Sequence, residues 1–553
     1  MQRRKTKISD KIFGIDLGTT YSCIAKLNED GTPVVIENFE DQTDTLASAV
    51  FFESEDNIIV GDNAKASVEE AGDRVVEYIK RHIGKNDGWS REFFVVEYTP
   101  IDISAMILKR LRQMVQSQGD EVDRAVITCP AYFGIAEQEA TRRAGELAGL
   151  EVVDIIQEPT AAALCYCARK FKEEKIIMVY DLGGGTFDVT VLKMWLDTNA
   201  DGEEVQHAVV LCSDGLDMLG GKDWDDVLYQ KLESVLCEEN GIEPADLEPE
   251  DRQAIRSQIE KTKRKLSRAD SCDVRIPYSG SITRITVTRE EFESLTSALV
   301  DKTMSFVENV MGRLNGQVVD TVLLVGGSTM MPMIQRAVEA RFPGKVQQED
   351  PHRAIAKGAA IYASLLMAKD DAPAEAEGEA AAEGETSDKP EGRGSVPSKD
   401  VIRPQLPSSF GVGVLNGKGD YIVDNLIKMG TYYDEADATE TYRVPEDGLS
   451  HIVLRVFEDR LTDDEVCPCV DAYGDEQEFD PSTGVRLLGD MRVDLPSGTP
   501  KGTKIEVNIK VTTNGVKLIA RNLTTGEEVP AEIDFKIGEG GAAANVLGKI
   551  SGE

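Results

Sequence analysis

The sequence predicts an α/β domain followed by an antiparallel β module. Three observations carry this reading. Short apolar runs alternate with helical stretches through the first two thirds of the chain, the pattern then changes to period two, and one strand–turn–strand unit occurs twice. Alternating strands and helices make layered α/β domains, whereas period-two alternation makes sheets with one buried face.

The apolar runs Ala125 to Thr128, Ile176 to Tyr180 and Val322 to Val325 each end in turn residues, as buried strands do. Helical patterns fill the gaps at Ser104 to Gln116, Gln138 to Ala148, Gln253 to Ser267, Glu291 to Gly312 and Ala354 to Met367. Residues 1–368 are therefore read as one α/β unit. Residues 369–400 lack any aromatic and are rich in Ala, Glu and Gly. Such a segment buries too little apolar surface to offset its ordering entropy and reads as an acidic disordered tether. The β module spans 401–538, with alternation at His451 to Phe457 and Lys504 to Val511 and turns at Asn514-Gly515 and Thr525-Gly526. A Gly- and Ala-rich tail, 539–553, is expected to be flexible.

Composition excludes several classes. At 553 residues the chain exceeds the roughly 250–300 that one core accommodates, so several domains are expected. It has no uninterrupted apolar run of the roughly 20 residues needed to cross a bilayer. Basic Met1 to Lys7 is followed by a motif rather than a signal-peptide apolar stretch, so secretion is not expected. A net charge of −38 would repel a phosphate backbone, which excludes nucleic acid as a partner. Nine scattered cysteines form no disulfide framework, which fits a reducing cytoplasm. Cys467 and Cys469 are too tightly spaced for a zinc knuckle and read as small strand hydrophobes.

The repeated unit carries the chemistry. Ile12-Phe-Gly-Ile-Asp-Leu-Gly-Thr-Thr-Tyr-Ser-Cys-Ile-Ala25 and Ile177-Met-Val-Tyr-Asp-Leu-Gly-Gly-Gly-Thr-Phe-Asp-Val-Thr-Val191 share an apolar strand, Asp-Leu-Gly, a Thr and a second alternating strand. Each turn projects backbone N–H groups, and Gly18, Gly183, Gly184 and Gly185 let a phosphate approach closely. A third glycine turn, Gly326-Gly327-Ser328, follows another apolar strand. Neither repeat has the Gly-Lys-Ser/Thr of a P-loop. Asp16, Asp181 and Asp188 would stand near phosphate only if a hard cation such as Mg²⁺ offset them, often through water. Glu158, in Gln157-Glu-Pro-Thr, sits at a strand-to-helix turn where it could orient water, act as a base, or simply favour the helix start.

Gly14-Ile-Asp-Leu-Gly-Thr-Thr-Tyr-Ser-Cys23, Glu158-Pro-Thr-Ala-Ala-Ala163, Asp181-Leu-Gly-Gly-Gly-Thr-Phe-Asp188 and Gly326-Gly-Ser-Thr329 resemble the signatures of the Hsp70 chaperone family, in order and at family spacing. The resemblance implies an actin-like ATPase domain, a duplicated RNase H-like fold, followed by an antiparallel β-sandwich. It implies ATP or ADP with Mg²⁺, K⁺ being a further candidate. Lys80 would position the attacking water and stabilise the transferred phosphoryl group, with Glu158, Asp181, Thr186 and Asp188 completing the catalytic set. Asp16, Glu158, Asp181 and Asp188 would serve the metal, and Thr19, Thr20 and Thr186 the phosphate oxygens, beside Tyr21, Gly220 and Gly221. Glu260, Lys263, Arg264 and Ser267 lie at i, i+3, i+4 and i+7, one stripe of a helix. By the resemblance that stripe holds adenosine; from the residues alone it reads as a solvated ion pair. The implied activity is slow ATP hydrolysis, coupled to binding of unfolded polypeptide, with a J-domain cochaperone and a nucleotide exchange factor as partners.

The sequence also departs from that family. Met330 stands where many members carry an Arg that stacks on adenine, and His352 replaces the usual Asp. Asp154 replaces an Arg that meets J-domain cochaperones, which predicts an unusual cochaperone or none. The linker reads Val401-Ile-Arg-Pro-Gln405, and Pro404 argues against its docking as an added strand. The β module resembles the peptide-binding sandwich loosely; Leu415, Tyr442, Ile452 and Leu454 are the expected groove lining, ordinary core being the alternative. The family's helical lid finds no counterpart after Ile537, so bound peptide is expected to leave fast. A nucleotide-gated scaffold for one folded partner is the alternative function.

Overall fold

The computed structural model describes residues 12–38, 43–85, 87–167, 174–198, 204–314, 316–348, 350–370, 402–403, 406, 408–415, 421–459, 485–512 and 515–532. Residues 371–400 of the expected tether, Cys467, Cys469 and the tail 539–553 lie outside them.

Two six-stranded sheets repeat one pairing plan, which is the structural form of the sequence repeat. In the first, Ile12–Asp16 pairs antiparallel with Tyr21–Leu27 on one side and parallel with Arg124–Cys129 on the other. In the second, Lys175–Leu182 pairs antiparallel with Phe187–Thr198 and parallel with Thr321–Val325. Each central strand is buried along nearly its whole length. That burial explains why both read as continuous apolar runs ending at an Asp. The Asp-Leu-Gly turns therefore leave corresponding ends of two central strands.

Helices Glu158–Cys167 and Ala354–Asp370 pack against one another and against these sheets. Both are rich in Ala where they meet. A Cβ on Gly14 would lie 2.1 Å from the Ala360 nitrogen, and one on Gly358 would lie 1.7 Å from the Ala161 carbonyl oxygen. Backbone touches backbone at both places, so only glycine fits there. The predicted helices are found at Pro100–Ser117, Ile135–Leu147, Pro249–Leu266 and Arg289–Arg313. Thr99 and Asp102 close a capping box at the start of the first.

Downstream, two four-stranded antiparallel sheets share one core. One runs Tyr421–Ile427, Ser409–Leu415, His451–Asp459, Val485–Asp494; the other runs Asp437–Arg443, Lys504–Thr512, Gly515–Asn522, Glu528–Glu532. Phe410, Val456, Val507 and Leu518 are fully buried between them. Ile135, the first residue of the Ile135–Leu147 helix, belongs to the same apolar cluster, so the sandwich is seated on the α/β region.

One expectation is corrected. Ile402–Arg403 does add as a strand, parallel to Glu204–Leu216, with Ile402 opposite Ala208 and Arg403 opposite Val209. The ladder uses the two residues ahead of Pro404, whose missing N–H breaks neither pair.

Candidate functional site

The two turns face each other across a cavity of about 370 Å³. A Cβ on Gly184 would lie 1.7 Å from Thr20 Oγ1, and one on Gly185 would lie 2.3 Å from Thr19 Cγ2. Glycine in one turn thus makes room for threonine of the other. Gly183 N donates to the Thr186 carbonyl, and Gly221 N to the Gly183 carbonyl, holding the second turn rigid. Ser328 Oγ donates to the Gly183 carbonyl at 2.8 Å, which ties the third glycine turn to it. Among the described residues Thr20 Oγ1 is buried without a hydrogen-bond partner, a donor left for whatever enters.

Lys80 and Glu158 form an ion pair inside the cavity, both about 5% exposed. Lys80 rides on a short 3-10 turn, Ile79–Arg81, whose preceding residue Tyr78 has a left-handed φ of 59°. Ile79 and Ile83 are buried on either side of it, which carries the lysine inward. Burial opposes the Lys80 charge, but Glu158 and Asp16 outweigh it and hold the ammonium above its usual range. Asp16 is pushed up to about 7 by burial and then by Glu158, against the pull of Lys80 and the Thr128 hydroxyl. Burial, then Glu158, also raises Asp181 and Asp188 well above ordinary carboxylates. Four buried carboxyls with Lys80 as their compensating ammonium make an electron-rich site that favours a further cation. Among the described residues Asp188 Oδ1 has no hydrogen-bond partner. Among the described residues no three Asp, Glu, His or Cys groups converge closely enough to ligate a metal directly. The donor set fits a hard cation held through water and phosphate oxygens.

At the other end of the cavity stand Glu260, Lys263, Arg264 and Ser267, the predicted stripe. It is not the free solvated pair that the residues alone suggest. Lys65 pairs with Glu260 across the cleft, and Tyr21 Oη donates to Glu260 Oε1 at 3.1 Å. Lys263 Nζ bonds the Gly221 carbonyl at 2.8 Å and Asp225 at 2.7 Å. Met330 and His352 also line this end. The His352 ring packs against Gly327, and burial followed by Arg264 holds its pKa below the usual value.

The cavity thus gathers Asp16, Gly18, Thr19, Thr20, Tyr21, Lys80, Glu158, Asp181, Gly183, Gly184, Thr186, Gly221, Gly326, Gly327 and Ser328 with the stripe. Gly185, Asp188 and Gly220 lie behind its wall: a Cβ on Gly220 would meet the Gly185 backbone at 2.5 Å, and Asp188 sits opposite Asp181 in the ladder. Lys65, Arg81 and Asp225 are additions that sequence reading missed. Arg81 Nε donates to the Gly185 carbonyl at 2.9 Å, and its Nη2 meets Asp223 at 3.1 Å, a second link between the halves. Its adjacency to Lys80 was the available signal; Lys65 had none.

Elsewhere, Asp154 is buried and accepts a hydrogen bond from Tyr362 Oη at 2.8 Å, so its carboxylate is engaged inside the fold. Of the expected groove residues, Leu415 is half exposed, Ile452 half-buried, and Tyr442 donates to Asp424. Leu454 packs in the sandwich core and lines no open surface.

Fold and cavity define a duplicated α/β protein with a cleft of about 370 Å³ between matching turns and a β-sandwich seated beside it. The family model described as Hsp70 protein matches residues 12–94 and 86–374. Chaperone protein DnaK of Thermotoga petrophila is 36% identical over 462 residues, covering 81% of this chain and 70% of the relative. Chaperone protein DnaK of Thermosipho melanesiensis is 34% identical over 536 residues, covering 94% of this chain and 79% of the relative. The chain belongs to the Hsp70 family. Among the described residues no helix is long and apolar enough to cross a membrane.

Proposed function

We infer that the chain is an ATP-driven, Hsp70-type cytoplasmic chaperone that binds and slowly hydrolyses Mg²⁺-ATP and grips extended polypeptide through its β-sandwich. The observation that carries this is the Lys80–Glu158 pair, buried beside Asp16 and Asp181 between two facing glycine turns. In this reading residues 1–368 form an actin-like ATPase and 401–538 a substrate domain. Gly18, Thr19, Thr20 and the turn at 183–186 present donors to the phosphates, and Glu260 to Ser267 flank the nucleoside. Asp16, Asp181 and Asp188, with Glu158, would hold Mg²⁺, which when bound supplies charge neutralisation at the phosphates. Lys80 orients the attacking water and bears on the transferred phosphoryl group, worth several kcal/mol when such a charge is preorganised, on the order of 3 kcal/mol. The test is steady-state ATP turnover with and without an unfolded peptide, together with peptide dissociation with and without ATP. Turnover stimulated by peptide and dissociation accelerated by ATP support the reading; identical peptide release in both states removes the coupling.

A second reading, a nucleotide-gated scaffold for one folded partner, draws on two placements. Leu454 is core, and Tyr442 is tied to Asp424, which takes one expected groove residue away and restrains another. A pull-down dominated by one stoichiometric folded partner would favour it over many unfolded clients. The burial of Asp154 makes a J-domain partner that reads this position through charge a poor fit.

A further inference from the structure

Adenine and guanine share an acceptor at N7 and differ at position 6, where adenine carries an amine donor and guanine a carbonyl acceptor; guanine alone adds a 2-amino donor. A side chain locked as donor or acceptor against that edge rejects the wrong base by roughly 10⁴- to 10⁵-fold, because the mismatch leaves it unpaired. The polar residues of the stripe at 260–267 are committed to other partners. Ser267 Oγ donates to the Lys263 carbonyl at 3.2 Å, back onto its own helix. Lys263 serves the Gly221 carbonyl and Asp225, and Glu260 serves Lys65 and Tyr21. Asp44 and Arg353, which also line the cavity, pair with each other.

The other groups at this end are adaptable or exposed. Met330, 39% exposed, carries an unbranched thioether that packs on a ring without requiring a donor or an acceptor at its edge. His352 packs against Gly327, and among the described residues its ring makes no hydrogen bond that would fix one tautomer. Burial, then Arg264, disfavours its charged form. A neutral imidazole has one donor and one acceptor nitrogen, and the tautomer decides which is which, so it serves an amine or a carbonyl equally. The Arg264 side chain is 63% exposed, and Arg268 is exposed as well. As donors only, they suit the N7 of both purines and the 6-carbonyl of guanine. Water reaching an end this open meets whichever exocyclic group is present.

We propose that the cavity takes purine nucleotides as a class, guanine as well as adenine, and that Met330 and His352 make the base end permissive. The inference rests on the reading of the cavity as a nucleotide site. Its two ends are built differently. At the turns, Thr19 and Thr20 are wedged against Gly185 and Gly184, and Ser328 is tied to the Gly183 carbonyl, so the donors there are fixed. Phosphates are common to every nucleotide, and affinity drawn from fixed donors at that end does not depend on the base. At the other end the ring is held by contact area, which both purines supply alike. A pyrimidine, one ring smaller, covers less of Met330 and His352 and loses part of that contribution.

The test is calorimetric titration of the full chain, in Mg²⁺, with ADP, GDP and CDP. ADP and GDP should bind within about 20-fold of one another, far inside the roughly 10⁴-fold of a base-reading site, and CDP should bind more weakly than either. Met330→Ala and His352→Ala should weaken both purine nucleotides by like factors, keeping the GDP-to-ADP ratio within about threefold of wild type. GDP weaker than ADP by more than about 20-fold would overturn the proposal, as would CDP as tight as ADP or a ratio moved more than about threefold by either substitution. Each of those results leaves ADP bound and the nucleotide reading intact. Failure of all three nucleotides to bind would overturn that reading and the proposal with it.

Discussion

Replacing Lys65 by alanine removes a bond between the two halves beside the cavity that we propose holds the nucleotide. Lys65 lies on the short helix Asp62–Ala66 of the first half, and Glu260 on Pro249–Leu266 of the second. Their side chains are 20% and 30% exposed, so the pair is neither a screened surface contact nor a dry one. Lys65 also stands over the Tyr21 ring at 4.4 Å and donates to its hydroxyl at 3.1 Å. Exposed pairs contribute about 0.2–1 kcal/mol, and a cation over an aromatic face adds about 0.5–1 kcal/mol. Together these give roughly 1–2 kcal/mol for the latch. Since about 1.4 kcal/mol is a factor of ten, nucleotide should leave Lys65→Ala about 5- to 30-fold faster. Stopped-flow displacement of a fluorescent ADP measures it directly. Because the pair is partly screened, the acceleration should shrink as salt rises. An unchanged off-rate at low salt would refute the latch.

Other outcomes follow from the same geometry. Asp16 titrates near 7 in the fold against an ordinary 3.8, so between those values the native state holds a proton that the unfolded chain lacks. Its stabilising contribution is present below 3.8 and is lost as pH rises through 7, at a cost of up to roughly 4 kcal/mol. Asp16→Asn should therefore melt higher than the nucleotide-free wild type at pH 8, an advantage that disappears near pH 4; calorimetry at both values checks it, and equal melting at pH 8 contradicts it. Gly358→Ala drives a methyl into the Ala161 carbonyl and should destabilise the fold by about 1–3 kcal/mol in urea titration, with no rescue by smaller changes on the helix surface. Met330→Arg supplies a cation at the nucleoside end of the cavity and should tighten ATP binding by about 0.5–2 kcal/mol, measurable by calorimetric titration.

Much of the site was legible because it is local. The two Asp-Leu-Gly turns and the Glu260-to-Ser267 stripe each sit within one element, so strand alternation and helical spacing expose them. Lys80 was readable only by resemblance: its burial depends on Ile79 and Ile83 packing into a distant core, which no local pattern encodes. Lys65 and Glu260 are 195 residues apart, and their pairing exists only once the halves face each other. Period two places Ile452 and Leu454 on one face without saying whether that face looks to the core or to solvent. Packing against the second sheet decides it, inward for Leu454. The linker departs from its expectation because a proline removes a donor only at its own position, while the ladder engages Ile402 and Arg403.

We propose that the two facing turns with Lys80 and Asp181 hydrolyse ATP. Single-turnover hydrolysis of ATP with Mg²⁺ by wild type, Lys80→Ala and Asp181→Asn tests it most directly. Loss of Lys80 should slow the chemical step by about 100-fold or more while ATP still binds, and Asp181→Asn should weaken its Mg²⁺ dependence. Equal rates in all three proteins would contradict the account.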